Sequence, residues 1–135
     1  MKQLPCPCDT GKSYAACCGR YHAGALPENA LMLMRSRYSA YAKGSIDYII
    51  QTTHPGSEQK KEKNEWEQEI RDFSENTQFI RLEIHDFEDG ETIAHVTFTA
   101  HLSQNGHDIS FRERSLFEKL GQKWLYVRPE VLENL

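Results

Sequence analysis

Residues 6–18 read Cys-Pro-Cys-Asp-Thr-Gly-Lys-Ser-Tyr-Ala-Ala-Cys-Cys, and they determine how the N-terminal region of this 135-residue chain folds. The stretch contains all four cysteines of the sequence, arranged as two close pairs with eight residues between them. A segment this short cannot bury a hydrophobic core of its own, so a bound ion or covalent cross-links must hold it. The spacing therefore predicts either a metal site or two disulfides.

The cellular compartment favours the metal. Residues 1–6 contain no apolar export signal and no small-residue cleavage site, so we expect a cytoplasmic protein. Thiols are kept reduced there, which makes clustered cysteines more often metal ligands than disulfides. A bridge within either close pair would also close a very small, strained ring, whereas crossed pairings stay open.

Four thiolates saturate a tetrahedral Zn²⁺ ion and leave no open coordination position, which is typical of a structural site. We therefore predict that Cys6, Cys8, Cys17 and Cys18 bind zinc, with iron(II) or copper(I) as alternatives in the cell. His22 is an alternative fourth ligand, although a single histidine beside four cysteines is more often not a ligand.

The residues between the cysteine pairs suit such a site. Residues 9–11 predict a turn in which Gly11 takes a positive φ and backbone amides point at the sulfurs. Four thiolates and one Zn²⁺ carry a charge of about −2, so the site needs hydrogen-bond donors and a nearby cation. Lys12 supplies that cation.

Residues 6–19 resemble the SEC-C motif, which is named after the C-terminal tail of the SecA translocation ATPase. The motif runs Cys-x-Cys-Gly-Ser-Gly-Lys-x-Tyr and continues with Cys-Cys or Cys-His and a glycine. Residues 9 and 10 depart from the Gly-Ser pair, whereas the four cysteines, Gly11, Lys12 and Tyr14 match. The resemblance implies a metal site, and the departure concerns only the turn.

The resemblance extends over nearly the whole chain. Its other matching segments are residues 20–22, 33–41, 47–48, 53–55, 113–115 and 124–126. Together with the motif they are similar to the bacterial YchJ family, whose members join one or two SEC-C motifs to a nuclear-transport-factor-2-like (NTF2-like) domain. The resemblance implies a cone-shaped fold of the NTF2-like or cystatin type, and the family has no settled activity. This sequence carries one cysteine cluster.

The composition predicts one domain with an appendage. A chain of 135 residues with 39% hydrophobic residues can bury one sizeable core, and no run of 18 apolar residues predicts membrane insertion. The net charge is −4, distributed as +4 over residues 1–43 and −8 over the remainder. Because the thiolates offset part of the N-terminal excess, the charge makes nucleic acid an unfavourable partner.

Helical periodicity comes first along the chain. Residues 27–29 open a helix whose apolar positions are spaced by threes and fours up to Tyr41, with a stop at residues 43–44. Ser45 begins a short helix that ends before residues 54–56. A third helix is predicted over 59–75, and its packing stripe consists of Trp66, Ile70 and Phe73.

The period then changes to two, which predicts four antiparallel strands joined by tight turns. The inward positions are Ile80, Leu82 and Ile84, then Ala94, Val96, Phe98, Ala100 and Leu102, then Ile109, Phe111 and Phe117, then Trp124 and Tyr126. Asn105-Gly106 is a hairpin signal. The predicted fold is α+β: a zinc knuckle over residues 1–24, then helices packed on one face of a curved antiparallel sheet over 25–135.

Glu113 lies on the apolar face of the third strand, so it needs a partner. Arg35 or Arg37 of the first long helix is the candidate, through a bidentate ion pair. The structural interpretation, an ion pair between helix and sheet, is favoured. The alternative is a pocket in the mouth of the cone with Arg35, Tyr38 and Glu113 as its candidate residues.

Three functions follow from these features. The first is an adaptor whose knuckle binds a protein partner through Lys12, Tyr14, Arg20 and Tyr21; the resemblance to SEC-C tails implies chaperones, translocation or ribosome components. The second is a small-molecule-binding protein or an enzyme that uses the cone pocket. The third is a nucleic-acid-binding knuckle. The sequence carries no catalytic motif, so an enzyme is less expected than a binding module.

Overall fold

The computed structural model describes residues 4–135, so the first three residues of the predicted knuckle lie outside the described residues. The elements in chain order are α1 Cys18–His22, α2 Ala30–Lys43, α3 Ile46–Gln51, α4 Lys63–Asn76, β1 Gln78–Glu88, β2 Ile93–Gln104, β3 His107–Asp108, β4 Phe111–Leu120 and β5 Lys123–Asn134. Helices followed by an antiparallel sheet confirm the predicted α+β class.

The sheet has the order β1-β2-β4-β5, all antiparallel, and the short β3 pairs with β2. Asn105 and Gly106 both have positive φ (50° and 80°), which is the geometry of a two-residue hairpin turn and confirms the predicted signal. The concave face of this sheet packs against α2 and forms the main core.

Strand β2 follows the predicted alternation: Ala94, Val96, Phe98, Ala100 and Leu102 are all buried. Strand β1 departs from it, because the pairing register shifts between Phe79 and Arg81. The bulge inserts one extra residue, so Phe79 packs against the core and Ile80 is 61% exposed. The prediction that Ile80 points inward was wrong, since a bulge breaks the two-residue period on which it relied.

The ends of α2 agree with the sequence prediction. The Asn29 side chain accepts a hydrogen bond from the amide of Met32, and Gly44 ends the helix with φ 73°. Helix α4 starts at Lys63, four residues later than predicted. The reason is a turn in which Ser57 accepts the amides of Gln59 and Lys60, after which the Glu62 side chain caps the helix.

The segment after α3 extends the sheet by one short contact. The His54 amide donates to the Tyr126 carbonyl and the Tyr126 amide donates to the Thr52 carbonyl, each at 2.8 Å. This parallel bridge fixes the C-terminal end of α3 beside β5. It therefore brings the α3 carbonyls, the α2 side chains and β5 to one end of the cone.

Helices in the described part of the chain are too short or too polar to cross a membrane.

Candidate metal centre and cone cavity

The four cysteines form one compact, buried cluster. Their sulfur atoms all lie within 4.8 Å of one another, with Cys8 and Cys17 3.6 Å apart and Cys17 and Cys18 4.0 Å apart. Tetrahedral coordination with Zn–S bonds of about 2.3 Å places sulfurs about 3.8 Å apart. All four are free thiols, each at most 4% exposed. The donor set fits a tetrahedral metal ion with no open position.

A small hairpin presents the first cysteine pair. The Cys6 amide donates to the Lys12 carbonyl at 2.9 Å and the Tyr14 amide to the Leu4 carbonyl at 2.8 Å. Asp9 and Gly11 have positive φ (65° and 85°) in the turn between these bonds. Asp9 thus adopts a backbone conformation that glycine adopts without strain, at the position where the usual motif has glycine.

The Asp9 substitution also adds a bond between the segment and the sheet. Its carboxylate oxygen Oδ2 accepts the backbone amide of Leu82 in β1 at 2.8 Å. A carboxylate–amide bond of this kind is stronger than a neutral one. Asp9, which replaces the glycine of the usual motif, therefore anchors the cysteine segment to the core.

Hydroxyl groups surround the sulfurs. Thr10 Oγ1 lies 3.2 Å from the sulfur of Cys17, and Ser39 Oγ of α2 lies 3.3 Å from the sulfur of Cys6. The Cys18 thiol and the Thr10 amide lower the pKa of Cys8 to about 4. The hydrogen bond between Cys18 and Cys8, together with burial, raises the pKa of Cys18. Binding of a metal by all four sulfurs therefore displaces the Cys18 proton.

His22 is not a ligand, and this alternative from the sequence was wrong. Its Nε2 lies 2.8 Å from the Ser36 carbonyl, to which it donates, and its Nδ1 accepts from the Tyr14 hydroxyl at 2.6 Å. Burial lowers the pKa of His22, which favours the neutral ring that this pattern requires. Both nitrogens are used, so the imidazole is a structural link between α1 and α2.

Arg35 belongs to the cysteine segment. Its Nη1 donates to the Cys8 carbonyl at 2.7 Å, and it does not line the cavity of the cone. The prediction that Arg35 is a pocket residue was wrong, because positions two apart on a helix face nearly opposite directions and Arg37 faces the cavity instead. The cysteines, α2 and the sheet consequently share one core.

A cavity of about 490 Å³ opens between α2, α4 and the concave face of the sheet. Its walls are mainly aromatic, from Tyr41, Trp66, Phe73, Phe98 and Phe111. Cavities of this size hold small organic molecules when their apolar walls contain a few converging polar groups. The predicted pocket is therefore present and open.

Glu113 provides the polar floor of this cavity. Its Oε2 accepts hydrogen bonds from the hydroxyls of Ser115 and Tyr126, the second at 2.9 Å. Burial raises its pKa. The predicted ion pair with Arg35 or Arg37 was wrong: neither lies within ion-pair distance of Glu113 in the described structure. Ser115 is two residues along the same strand face, so its hydroxyl reaches the carboxylate first.

Arg37 lies beside this floor in a fixed position. Its Nη1 donates to the Ile49 carbonyl at 3.1 Å and to the hydroxyls of Thr52 and Thr53 at 2.7 and 3.2 Å. Its guanidinium carbon lies 4.7 Å from the centre of the Tyr126 ring, which is a cation–π contact. Ser115 and Tyr126 were not predicted as partners of Glu113, because their hydroxyls come close to the carboxylate only through the pairing of β4 with β5.

Tyr38 lines the cavity as predicted, with its ring edge-to-face against Phe79. Its hydroxyl is buried and has no hydrogen-bond partner among the described residues. A buried hydroxyl without a partner is costly in a protein interior.

The predicted partner surface is only partly exposed. Lys12 and Arg20 are exposed, whereas Tyr14 is half-buried under the Lys43 ammonium group, which lies 4.4 Å from its ring centre. Tyr21 is 2% exposed, and its hydroxyl donates to Glu28. The expectation that Tyr21 is on the surface was wrong, because it packs α1 against the start of α2.

The architecture and the cysteine cluster define the class of protein: an NTF2-like domain preceded by a SEC-C motif. The family model of the YchJ middle NTF2-like domain matches residues 29–129, and that of the SEC-C motif matches residues 4–20. The chain belongs to the YchJ family, whose curated relatives carry the name UPF0225.

The relatives are similar over most of their length. A UPF0225 protein of Bordetella pertussis is 36% identical over 97% of this chain and 99% of its own, and one of Streptomyces coelicolor is 35% identical over 98% and 100%. The solution structure of a SEC-C motif containing protein from Rhodopseudomonas palustris has a TM-score of 0.80 at 29% identity, covering 95% of this chain and 98% of that one. A Psychrobacter arcticus crystal structure, at 24% identity, has a TM-score of 0.78 over 97% and 83% and shows the shared fold.

Proposed function

We propose that this protein binds a small organic molecule in the cavity of its NTF2-like domain, and that a structural metal ion holds the N-terminal segment against that domain. The observation that supports binding is the polar floor of Glu113, Ser115 and Tyr126 at the base of an open cavity with aromatic walls. Apolar walls around a few convergent polar groups are the usual composition of ligand sites.

The metal has a structural role in this proposal. Four buried thiolates leave no coordination position for a substrate or water, so the centre does not supply a Lewis acid. Its effect is to fix the N-terminal segment against the domain. The Cys6 sulfur contacts the Ser39 hydroxyl of α2, and the Cys8 carbonyl accepts from Arg35 of α2. The Asp9 carboxylate bonds to β1. Zinc is the ion we propose, and iron(II) is the alternative for protein isolated from its own cells.

An uncharged hydrophobic dye tests whether the cavity binds ligands. Nile red is expected to gain fluorescence saturably on addition of the protein, because it enters an apolar site. Ala100→Trp should weaken this binding by about tenfold or more, since Ala100 lines the cavity and the indole fills it. The measurement is a fluorescence titration at constant dye concentration.

Ile93→Trp is the matched control, because Ile93 lies on the same strand but is 46% exposed. Its affinity for the dye should equal that of the wild type. If Ala100→Trp folded normally and bound the dye as tightly as the wild type, the cavity would not be the binding site.

An adaptor function is a second proposal, supported by the exposed surface of the N-terminal segment. Lys12 and Arg20 are exposed there, and Leu4 and Leu26 are 68% and 48% exposed. Arginine is enriched at protein interfaces relative to the rest of the surface.

Lys12→Glu is the variant that tests the adaptor function. Lys12 makes no side-chain hydrogen bond or ion pair within residues 4–135, but its charge offsets part of the charge of the four thiolates, so the metal content and melting temperature of the variant are measured first to show that the segment is loaded and folded. If the segment binds a partner, pull-downs from the source organism should lose that protein with Lys12→Glu and keep it with Lys123→Glu, which is exposed at the far end of the sheet. Equal recovery with both variants would reject the adaptor surface.

A further inference from the structure

The mouth of the cavity offers no free charge to a ligand. Its two charged side chains, Lys61 and Glu69, bind each other, with Lys61 Nζ 2.8 and 2.6 Å from the two carboxylate oxygens of Glu69. Each therefore neutralises the other where a molecule would enter. Electrostatic selection at the mouth favours neither anions nor cations.

The floor is also balanced in charge. Arg37 and Glu113 are its charged side chains, and they carry opposite signs. The Arg37 charge lies against the carbonyl end of α3 and the Tyr126 ring. A ligand that brought a further charge would bury it without a free counter-charge, and such burial is expensive.

Hydrogen-bonding capacity on this floor is only partly used. Glu113 Oε2 accepts two bonds, whereas Oε1 accepts none from any residue in the described range. Arg37 donates to its three partners through Nη1 alone. Its Nε and Nη2 hydrogens have no partner within residues 4–135, so a ligand can accept them. The floor therefore offers one strong acceptor and adjacent donors.

The walls favour a flat apolar body. Phe98 and Phe111 meet edge-to-face with ring centres 6.0 Å apart, and Phe73 and Phe79 do so at 5.8 Å. Trp66 completes this lining from α4. Aromatic rings bind flat, unsaturated molecules well because face and edge contacts are both favourable.

We infer that the cavity takes an uncharged molecule with a flat apolar body and a polar end that donates one hydrogen bond to Glu113 and accepts one from Arg37, as a primary amide does. This inference rests on the proposed function, since it names the ligand class of the same site. The body lies between α4 and β2, and the polar end lies on the floor.

Four naphthalene probes test this on the full-length, zinc-loaded protein by isothermal titration calorimetry. They are 2-naphthamide, naphthalene, 2-naphthoate and 2-naphthylmethylammonium, which share a ring system and differ in the polar end. The amide is expected to bind at least about tenfold more tightly than each of the others, because it alone makes both hydrogen bonds without burying a charge.

Glu113→Gln checks the role of the carboxylate with little change of volume. The side-chain oxygen of the variant keeps the hydrogen bonds from Ser115 and Tyr126, so its NH2 group takes the position of Oε1 and 2-naphthamide loses that acceptor. The affinity of 2-naphthamide should fall at least about fivefold toward that of naphthalene, whose own affinity stays unchanged. Arg112→Gln, exposed on the other face of β4, is the matched control and should keep the wild-type order.

The outcomes separate the two proposals. If naphthoate or the ammonium probe binds as tightly as the amide, the ligand class is wrong and the cavity remains a binding site. The ligand class is also wrong, and the cavity remains a binding site, if Glu113→Gln keeps the preference for 2-naphthamide over the other probes. If none of the four probes binds, the proposed function itself fails and the ligand class fails with it.

Discussion

Cys8→Ser is expected to destabilise the entire protein and to lower its melting temperature by more than about 10 °C. The reason is that the four cysteines belong to the same core as α2 and the sheet. Structural zinc contributes on the order of 10 kcal/mol in small zinc domains, which is comparable to the folding free energy of a whole domain. Loss of one ligand should therefore shift thermal unfolding well beyond the N-terminal segment.

Circular dichroism melting and metal content of the purified variant are the measurements. Ala16→Ser is the matched control, because Ala16 is exposed next to Cys17. It should keep one metal ion per chain and a free energy of unfolding within about 0.5 kcal/mol of the wild type. A Cys8→Ser protein that kept the wild-type melting temperature would show that the metal centre is independent of the main core.

Arg37→Met is expected to reduce the free energy of unfolding by about 3 kcal/mol. Arg37 is 7% exposed and joins α2 to the end of α3 through the Ile49 carbonyl and the hydroxyls of Thr52 and Thr53. The variant removes the three hydrogen bonds that the buried guanidinium donates and its contact with Tyr126, whereas the Thr52 and Thr53 hydroxyls still donate to α3 carbonyls. Methionine keeps the length and apolar part of the side chain, so the loss reports the guanidinium group.

Urea unfolding of the wild type and of Arg37→Met measures this difference in the free energy of unfolding directly. Arg112→Met, at an exposed arginine on the outer face of β4, should change stability by less than about 0.5 kcal/mol. If Arg37→Met lost less than about 1 kcal/mol, the network at the end of α3 would contribute little to the fold and the floor of the cavity would be less fixed than described.

Local patterns predicted much of this fold because local chemistry decides those features. The Asn29 cap and the Gly44 stop set the ends of α2, and Asn105-Gly106 sets the hairpin after β2. The four cysteines come together because a small hairpin presents Cys6 and Cys8 and the start of α1 presents Cys17 and Cys18. Each of these follows from a few neighbouring residues.

Features that depend on partners distant in sequence were not predictable in the same way. Ile80 points outward because pairing with β2 introduces a bulge, which the residues of β1 alone do not reveal. Arg35 contacts the Cys8 carbonyl only because the cysteine segment packs on that side of α2. Tyr21 is buried for the same reason.

The candidate site also combines a feature that the sequence predicted with one that depends on residues distant in the chain. Sequence identified Glu113 as a carboxylate on an apolar face that needs a partner, and this is the residue at the cavity floor. It assigned the wrong partner, because choosing between an arginine and the hydroxyls of Ser115 and Tyr126 requires the register of β4 and β5.

The most direct test of a ligand site in the cone is an NMR titration of the ¹⁵N-labelled, zinc-loaded protein with 2-naphthamide. The account predicts saturable shifts of the backbone amides of Glu113, Ser115 and Tyr126, which surround the polar floor. Amides of outer-face residues remote from the floor, such as that of Ile93 at the start of β2, should remain unchanged. Shifts confined to that outer face, or no shift at any concentration up to the solubility limit, would contradict it.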